Sequence, residues 1–196
     1  CLEGVDGVGK TVVSEQLAKI FAENDEDFIL TKEPGSPYSD ICKEIRKLIL
    51  NYQHDNTYTI GYLFAADAHE HLNSVVRPNI NRGFHAISDR CFLSDFAFRP
   101  QVSHTIKEIN TSLFIKMKPK VFILDADTNV CISRMKERGK LNVYEENVVL
   151  PQIEDIKNRY YDVFHRFKHD ISIRFIDTNI DAPDKIANKI YNQIKE

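Results

Sequence analysis

Gly4 to Thr11 constrains this chain more than any other stretch. It reads GVDGVGKT and fits the pattern G-x-x-x-x-G-K-[ST]. The spacing has a physical reason. Gly4, Gly7 and Gly9 allow tight turns and bring bare backbone close to a ligand. The amides of Gly4, Val5, Asp6, Gly7, Val8 and Gly9 then point inward, and with the positive end of the following helix they form a cradle for phosphate oxygens. Lys10 reaches the outer phosphates, and the Thr11 hydroxyl is a ligand for Mg²⁺. The context agrees. The apolar residues Cys1 and Leu2 come before the loop, and a helical repeat (Val12, Val13, Leu17, Ile20, Phe21) comes after it.

Downstream, short apolar runs alternate with helical patterns. Lys10 to Glu23, Ile41 to Leu50, Thr59 to Val76, Ile106 to Met117, Val130 to Arg138, Val148 to Phe167 and Pro183 to Ile194 read as helices. Phe28 to Thr31, Phe84 to Ser88, Val121 to Leu124 and Ile173 to Ile176 read as buried strands. With the strand entering the loop, this predicts an α/β fold: a five-stranded parallel sheet, doubly wound, between two layers of helices. Ligands bind at the carboxyl ends of such strands. That rule gathers Gly4 to Thr11, Glu33 and Asp89-Arg90 into one place. The chain shows no repeat or low-complexity linker and reads as one domain, 1–196.

Bulk properties exclude several classes. A net charge of -3 and a pI near 6.2 argue against a broad nucleic-acid face. No apolar run reaches the roughly 18 residues that span a bilayer, so no membrane partner is expected. Four scattered cysteines without a C-x-x-C pair predict reduced thiols and a cytoplasmic setting. Only Cys1 to Glu3 precede Gly4, which predicts a natural chain that begins further upstream.

Two polyanions meeting in phosphoryl transfer need cations around the moving group. Lys10, Arg46, Arg90, Arg134 and Arg138 lie near the expected strand tips, and Asp89 is the best carboxylate for Mg²⁺, with Glu33 and Asp6 as others. A guanine-binding regulatory switch would need N-K-x-D; Asn188-Lys189-Ile190-Tyr191 lacks the Asp and lies inside the last helix.

Five blocks in order resemble the thymidylate kinase family of nucleoside monophosphate kinases. They are Glu3-Gly4 through Thr11; Lys32-Glu33-Pro34-Gly35; Arg46 to Leu50; Leu63-Phe64-Ala65-Ala66-Asp67 with Glu70 and His71; and Asp89-Arg90 with Ser94 and Ala97-Phe98. The resemblance continues through Leu124-Asp125, Arg134, Arg138, Tyr160 and Ile176-Asp177. It implies a P-loop NTPase fold with a mobile lid at about 134–147, ATP as phosphate donor, Mg²⁺, and a homodimer formed through the helix around Thr59 to Val76. It implies that Asp6 meets the sugar 3′-hydroxyl, that Arg46 and Arg90 grip the acceptor phosphate, and that Phe64 stacks on the base. It implies that Phe98 covers the sugar 2′ position, and that Arg134 and Arg138 belong to the lid. Lys10, Asp6, Arg90 and Arg138 would carry catalysis. Glu33, Pro34, Asp67, Ala68, Ser94 and Arg99 would complete the acceptor site.

Two departures bear on the substrate. Ala68 stands where the family has an arginine at the base edge, and Arg99-Pro100 stands where it has Gln, Ser or Asn. The expected activity is phosphorylation of a deoxynucleoside 5′-monophosphate, with dTMP first. Another or modified deoxynucleotide, a deoxynucleoside kinase and a non-catalytic paralogue are the alternatives. The chain is also short for the family after Pro100 and around Gly139 to Tyr144.

Overall fold

A computed structural model describes residues 1–51, 57–102, 104–139, 141 and 145–196. Five strands form one parallel sheet: β1 (Leu2–Glu3), β2 (Phe28–Lys32), β3 (His85–Asp89), β4 (Lys120–Asp125) and β5 (Ser172–Asp177), in the order β2-β3-β1-β4-β5. The register sets Leu2 opposite both Asp89 and Phe122, and Asp125 opposite Asp177. In β4 the consecutive residues Val121, Phe122, Ile123 and Leu124 are all buried. Successive side chains of a strand point to opposite faces, so the sheet is covered on both sides, as a continuous apolar run requires.

The helices follow from capping and periodicity. α1 (Lys10–Glu23) begins directly after Gly9, whose φ is 100°. It packs on α10 (Pro183–Lys195), which starts on a proline, where the missing N–H costs nothing. The Phe21 ring meets Phe28, His85 and Tyr191 and so ties α1 to β2, β3 and α10. α2 (Asp40–Asn51) packs on α3 (Thr57–Glu70). The sequence pattern predicts one helix from Thr59 to Val76, but the winding loosens into a π-helical stretch at His71–Val76 and closes again in α4 (Arg77–Asn81). The change falls at His71, which is buried and hydrogen bonded through both ring nitrogens.

The helix predicted over Ile106 to Met117 is two short ones. α5 (Ser94–Phe98) and α6 (His104–Glu108) precede α7 (Thr111–Lys116). The break falls at Asn110, whose amide donates to the Ala65 carbonyl (2.8 Å) while its Oδ1 meets His69 Nδ1 (3.0 Å). That pin to α3 turns the chain. α8 (Thr128–Glu137) follows β4, and a π-helical turn at Glu145–Val149 leads into α9 (Leu150–Phe167). Phe92, Phe96, Phe114 and Phe167 meet edge to face and join α5, α7 and α9. The last residue or the residue after each strand (Glu3, Glu33, Asp89, Asp125, Asp177) is acidic, and Glu33 and Asp89 line the cleft described next.

Candidate active site

A cleft of about 880 Å³ opens at the carboxyl ends of β1, β2 and β3. Its floor is the loop between β1 and α1. A Cβ on Gly7, at φ +81°, would lie 2.2 Å from the Cys131 carbonyl oxygen, so the loop needs glycine there. Buried Val5 and Val8 anchor the loop in the core. Thr178 secures it from β5 by donating to the Val8 carbonyl at 3.0 Å. Lys10 folds back over the loop, its Nζ donating to the carbonyls of Gly4 (3.1 Å) and Val5 (2.7 Å). Burial, then the nearby Arg90 charge, pulls its ammonium pKa down to about 8. A polyanion in the cradle reverses that balance.

Thr11 Oγ1 donates to Asp89 Oδ2 at 2.6 Å. No cluster of three His, Cys, Asp or Glu ligands exists among the described residues. This donor set fits Mg²⁺, a hard cation that keeps its waters and takes one or two protein oxygens beside substrate phosphates.

The wall on the β3 side is built around Arg90, which takes a left-handed backbone (φ 73°). Its guanidinium donates to Asp6 Oδ1 (2.6 Å), the Gly4 carbonyl (3.0 Å) and Ser94 Oγ (3.2 Å), and lies 4.6 Å from the Phe98 ring centre. Burial opposes its charge, but Asp6, Tyr160, Glu3 and Asp89 outweigh burial and hold it protonated. For Asp6, burial pushes the carboxyl upward, yet Arg90 and Lys10 hold it below the usual carboxylate range.

Beneath this pair is a group that the sequence reading left without a role. Glu3 is fully buried and accepts from the Cys91 amide (2.9 Å), Ser94 Oγ (2.7 Å) and Tyr160 Oη (2.8 Å). A carboxylate inside an apolar strand end is itself a signal, since such a group is kept only when it is paired.

Across the cleft, Glu33 and Pro34 are joined by a cis peptide bond. His71 fixes this loop: Nδ1 is 2.6 Å from Glu33 Oε1 and Nε2 is 2.8 Å from Thr31 Oγ1. Arg46 donates to the Pro34 carbonyl at 2.7 Å, and its stem crosses Gly35 where a Cβ would collide with it. Gly35 donates its amide to Asp67 Oδ1 at 3.0 Å. Burial, then Glu33, raises the Asp67 carboxyl to about 7.

The raised value has a sign. The unfolded chain releases this proton near the ordinary value of 3.8, and the folded chain releases it near 7. The folded state therefore holds an extra proton between the two, and the neutral form's advantage is lost as pH rises toward 7. Asp67→Asn keeps an oxygen for Gly35 and removes the charge. Thermal melts are expected to place it several degrees above the wild type at pH 8, with a much smaller gap at pH 5. A gap that does not change with pH would remove Asp67 as a titrating buried group.

The third wall differs from expectation. The guanidinium carbon of Arg99 lies 3.3 Å from the centre of the Phe64 ring. The face that the resemblance assigns to a base is therefore covered by an arginine, held in turn by an ion pair with Asp95. Ala68 is buried beside them. Arg134 lines the cleft but donates to the Thr178 carbonyl at 2.8 Å, and Arg138 pairs with Glu145. Of the lid predicted at about 134–147, residues 140 and 142–144 lie outside the described residues. Lys10, Thr11, Asp89, Asp6, Arg90, Ser94, Phe98, Glu33, Pro34, Arg46, Phe64, Asp67, Ala68, Arg99, Arg134 and Arg138 all line this one cleft.

Comparisons with known proteins agree with the geometry. The family model for thymidylate kinase matches residues 2–189. Thymidylate kinase of Mycoplasma genitalium is 34% identical over 167 residues, covering 82% of this chain and 78% of that one. Thymidylate kinase of Lactobacillus acidophilus is 30% identical and covers 99% and 92%. A crystal structure of thymidylate kinase from Ehrlichia chaffeensis superposes with a TM-score of 0.72 at 21% identity, covering 98% of this chain and 96% of that one, which establishes the shared fold. The chain belongs to the thymidylate kinase family.

Proposed function

We propose that the protein transfers the γ-phosphate of ATP to dTMP, giving ADP and dTDP. The observation that carries this reading is a phosphate cradle with its lysine and two further cations, Arg90 and Arg46, on two walls of the same cleft. Donor and acceptor phosphates need opposite cations in one water-poor space. The acceptor phosphate is largely ionised at neutral pH, so no general base is required. This separates the reading from a deoxynucleoside kinase, whose acceptor hydroxyl needs one.

In this reaction a bond forms from an acceptor phosphate oxygen to the γ-phosphorus, and the bond from that phosphorus to the β-γ bridging oxygen breaks. Lys10 leaves the Gly4 and Val5 carbonyls for the outer phosphates of ATP. Arg90, oriented by Asp6 and supported by Glu3 through Ser94 and Tyr160, holds the acceptor phosphate in line. Arg46 approaches it from the other side, and Arg134 and Arg138 cover the donor. Mg²⁺, held beside Thr11 and Asp89 when bound, supplies charge neutralisation at the β- and γ-oxygens. Phe98, packed on Arg90, fills the space next to the sugar. Equal amounts of ADP and dTDP, resolved by chromatography after incubation with Mg-ATP and dTMP, test the reading; ADP without dTDP would refute it.

The free thiols at Cys1, Cys42, Cys91 and Cys131 support a cytoplasmic location. No described helix is long and apolar enough to cross a membrane. The exposed rings of Tyr58 and Tyr62, one turn apart on α3, support assembly into a homodimer through that helix. Sedimentation is expected to show twice the chain mass of 22.7 kDa, and a single species at the chain mass would contradict it.

A further inference from the structure

Arg99 ends α5 as a buried cation in the acceptor half of the cleft, which is unusual for arginine. Its guanidinium carbon lies over the Phe64 ring, 3.3 Å from the ring centre. Asp95, one helical turn earlier and also buried, anchors it. On the α3 wall beside it, Ala68 is apolar and Asp67 accepts from the Gly35 amide.

We propose that Arg99 is the base-reading residue of this protein. This rests on the dTMP kinase reading above. In the free protein the guanidinium occupies the layer over Phe64 that a flat base takes when it binds. As the base enters, Arg99 slides within that layer to the edge of the ring, still tethered by Asp95, and lies coplanar with the base. A guanidinium and a base are both planar and both stack on an aromatic face, so the exchange conserves the contact with Phe64. Arginine carries donors and no acceptor. It therefore selects a base with a carbonyl oxygen at that edge, as in the 4-oxo pyrimidines. A 4-amino pyrimidine would set donor against donor in a buried place, which a hydrogen-bonding site rejects strongly.

The test is the ratio of kcat/KM for dTMP over dCMP. Arg99→Ala is expected to lower the dTMP value by roughly 30-fold and the dCMP value by no more than about threefold, so that the ratio collapses. Arg99→Lys, which donates but does not form a flat layer, is expected to fall between Ala and wild type. The KM for ATP is expected to stay near wild type in both. If Arg99→Ala leaves Asp95 unpaired and fails to fold, Asp95→Asn loosens the anchor and is expected to lower the same ratio severalfold. A wild-type ratio in the folded variants would overturn the proposal while leaving the dTMP kinase reading intact. A wild-type enzyme that turns over neither nucleotide would overturn both.

Discussion

Lys10→Ala is expected to lower kcat by about three orders of magnitude, because it removes a phosphate clamp that acts in the transition state. Its effect on stability has the opposite character. The wild-type ammonium is buried, donates to two loop carbonyls, and has its pKa pulled down to about 8. Between about 8 and the ordinary 10.5 the unfolded chain carries the extra proton, so this group opposes folding most strongly below pH 8 and the penalty fades as pH rises through that window. The variant is therefore expected to melt no lower than wild type at pH 7 while losing turnover. The same titration sets a pH dependence for the wild type. ATP requires the charged lysine, so the KM for ATP is expected to rise as pH climbs above about 8. Near-normal turnover of Lys10→Ala in a steady-state assay would place the clamp elsewhere.

Arg90→Met is expected to damage both activity and stability. Arg90 links Asp6, the Gly4 carbonyl and Ser94, and sits 4.0 Å from Glu3. A methionine fills the space and leaves two carboxylates without their cation. Removing one partner of a buried pair costs about 3 kcal/mol, a drop of roughly 10 °C in Tm for a chain of this size. Turnover is expected to fall at least as far as in Lys10→Ala, since the arginine orients the acceptor as well as neutralising it. Asp6 sets the pH signature. Arg90 holds it below the ordinary value of 3.8, so its contribution is present above that value and is lost as pH falls through the folded value. The gap between variant and wild type is expected to narrow in acid. Arg90→Lys separates the two roles: a stability close to wild type with turnover still low would show that the planar fork matters for the acceptor. A variant with wild-type stability and turnover would remove Arg90 from the site.

The contrast between these two cations shows what the sequence alone can carry. Lys10 is legible because its partners are its own neighbours, and the glycine spacing around it has one physical use. Asp89 and Arg90 are legible by topology, since parallel strands deliver their carboxyl ends to one edge. Glu3 is not legible in the same way. Its partner Tyr160 is 157 residues away, and no local spacing links the two. The Phe64 face shows the same limit from the other side. Helical spacing alone reads that ring as core packing and the family resemblance offers it to a base, but only folding brings Arg99 from the end of α5 over it. The break at Asn110 was likewise invisible to periodicity, because a single amide pinned to the Ala65 carbonyl overrides a helical pattern. Local patterning thus carries the sheet, most helices and the cradle, while side chains meeting across long sequence separations carry the acceptor wall.

The most direct test is ADP release with Mg-ATP against dTMP, dUMP, dCMP, dGMP, dAMP and UMP as acceptors. The cations on the two walls of the cleft and Arg99 at the base edge predict that a 4-oxo pyrimidine deoxynucleotide, dTMP or dUMP, gives the highest kcat/KM. Release that does not rise above the acceptor-free rate with any nucleotide, or a clear preference for a different acceptor, would contradict the account.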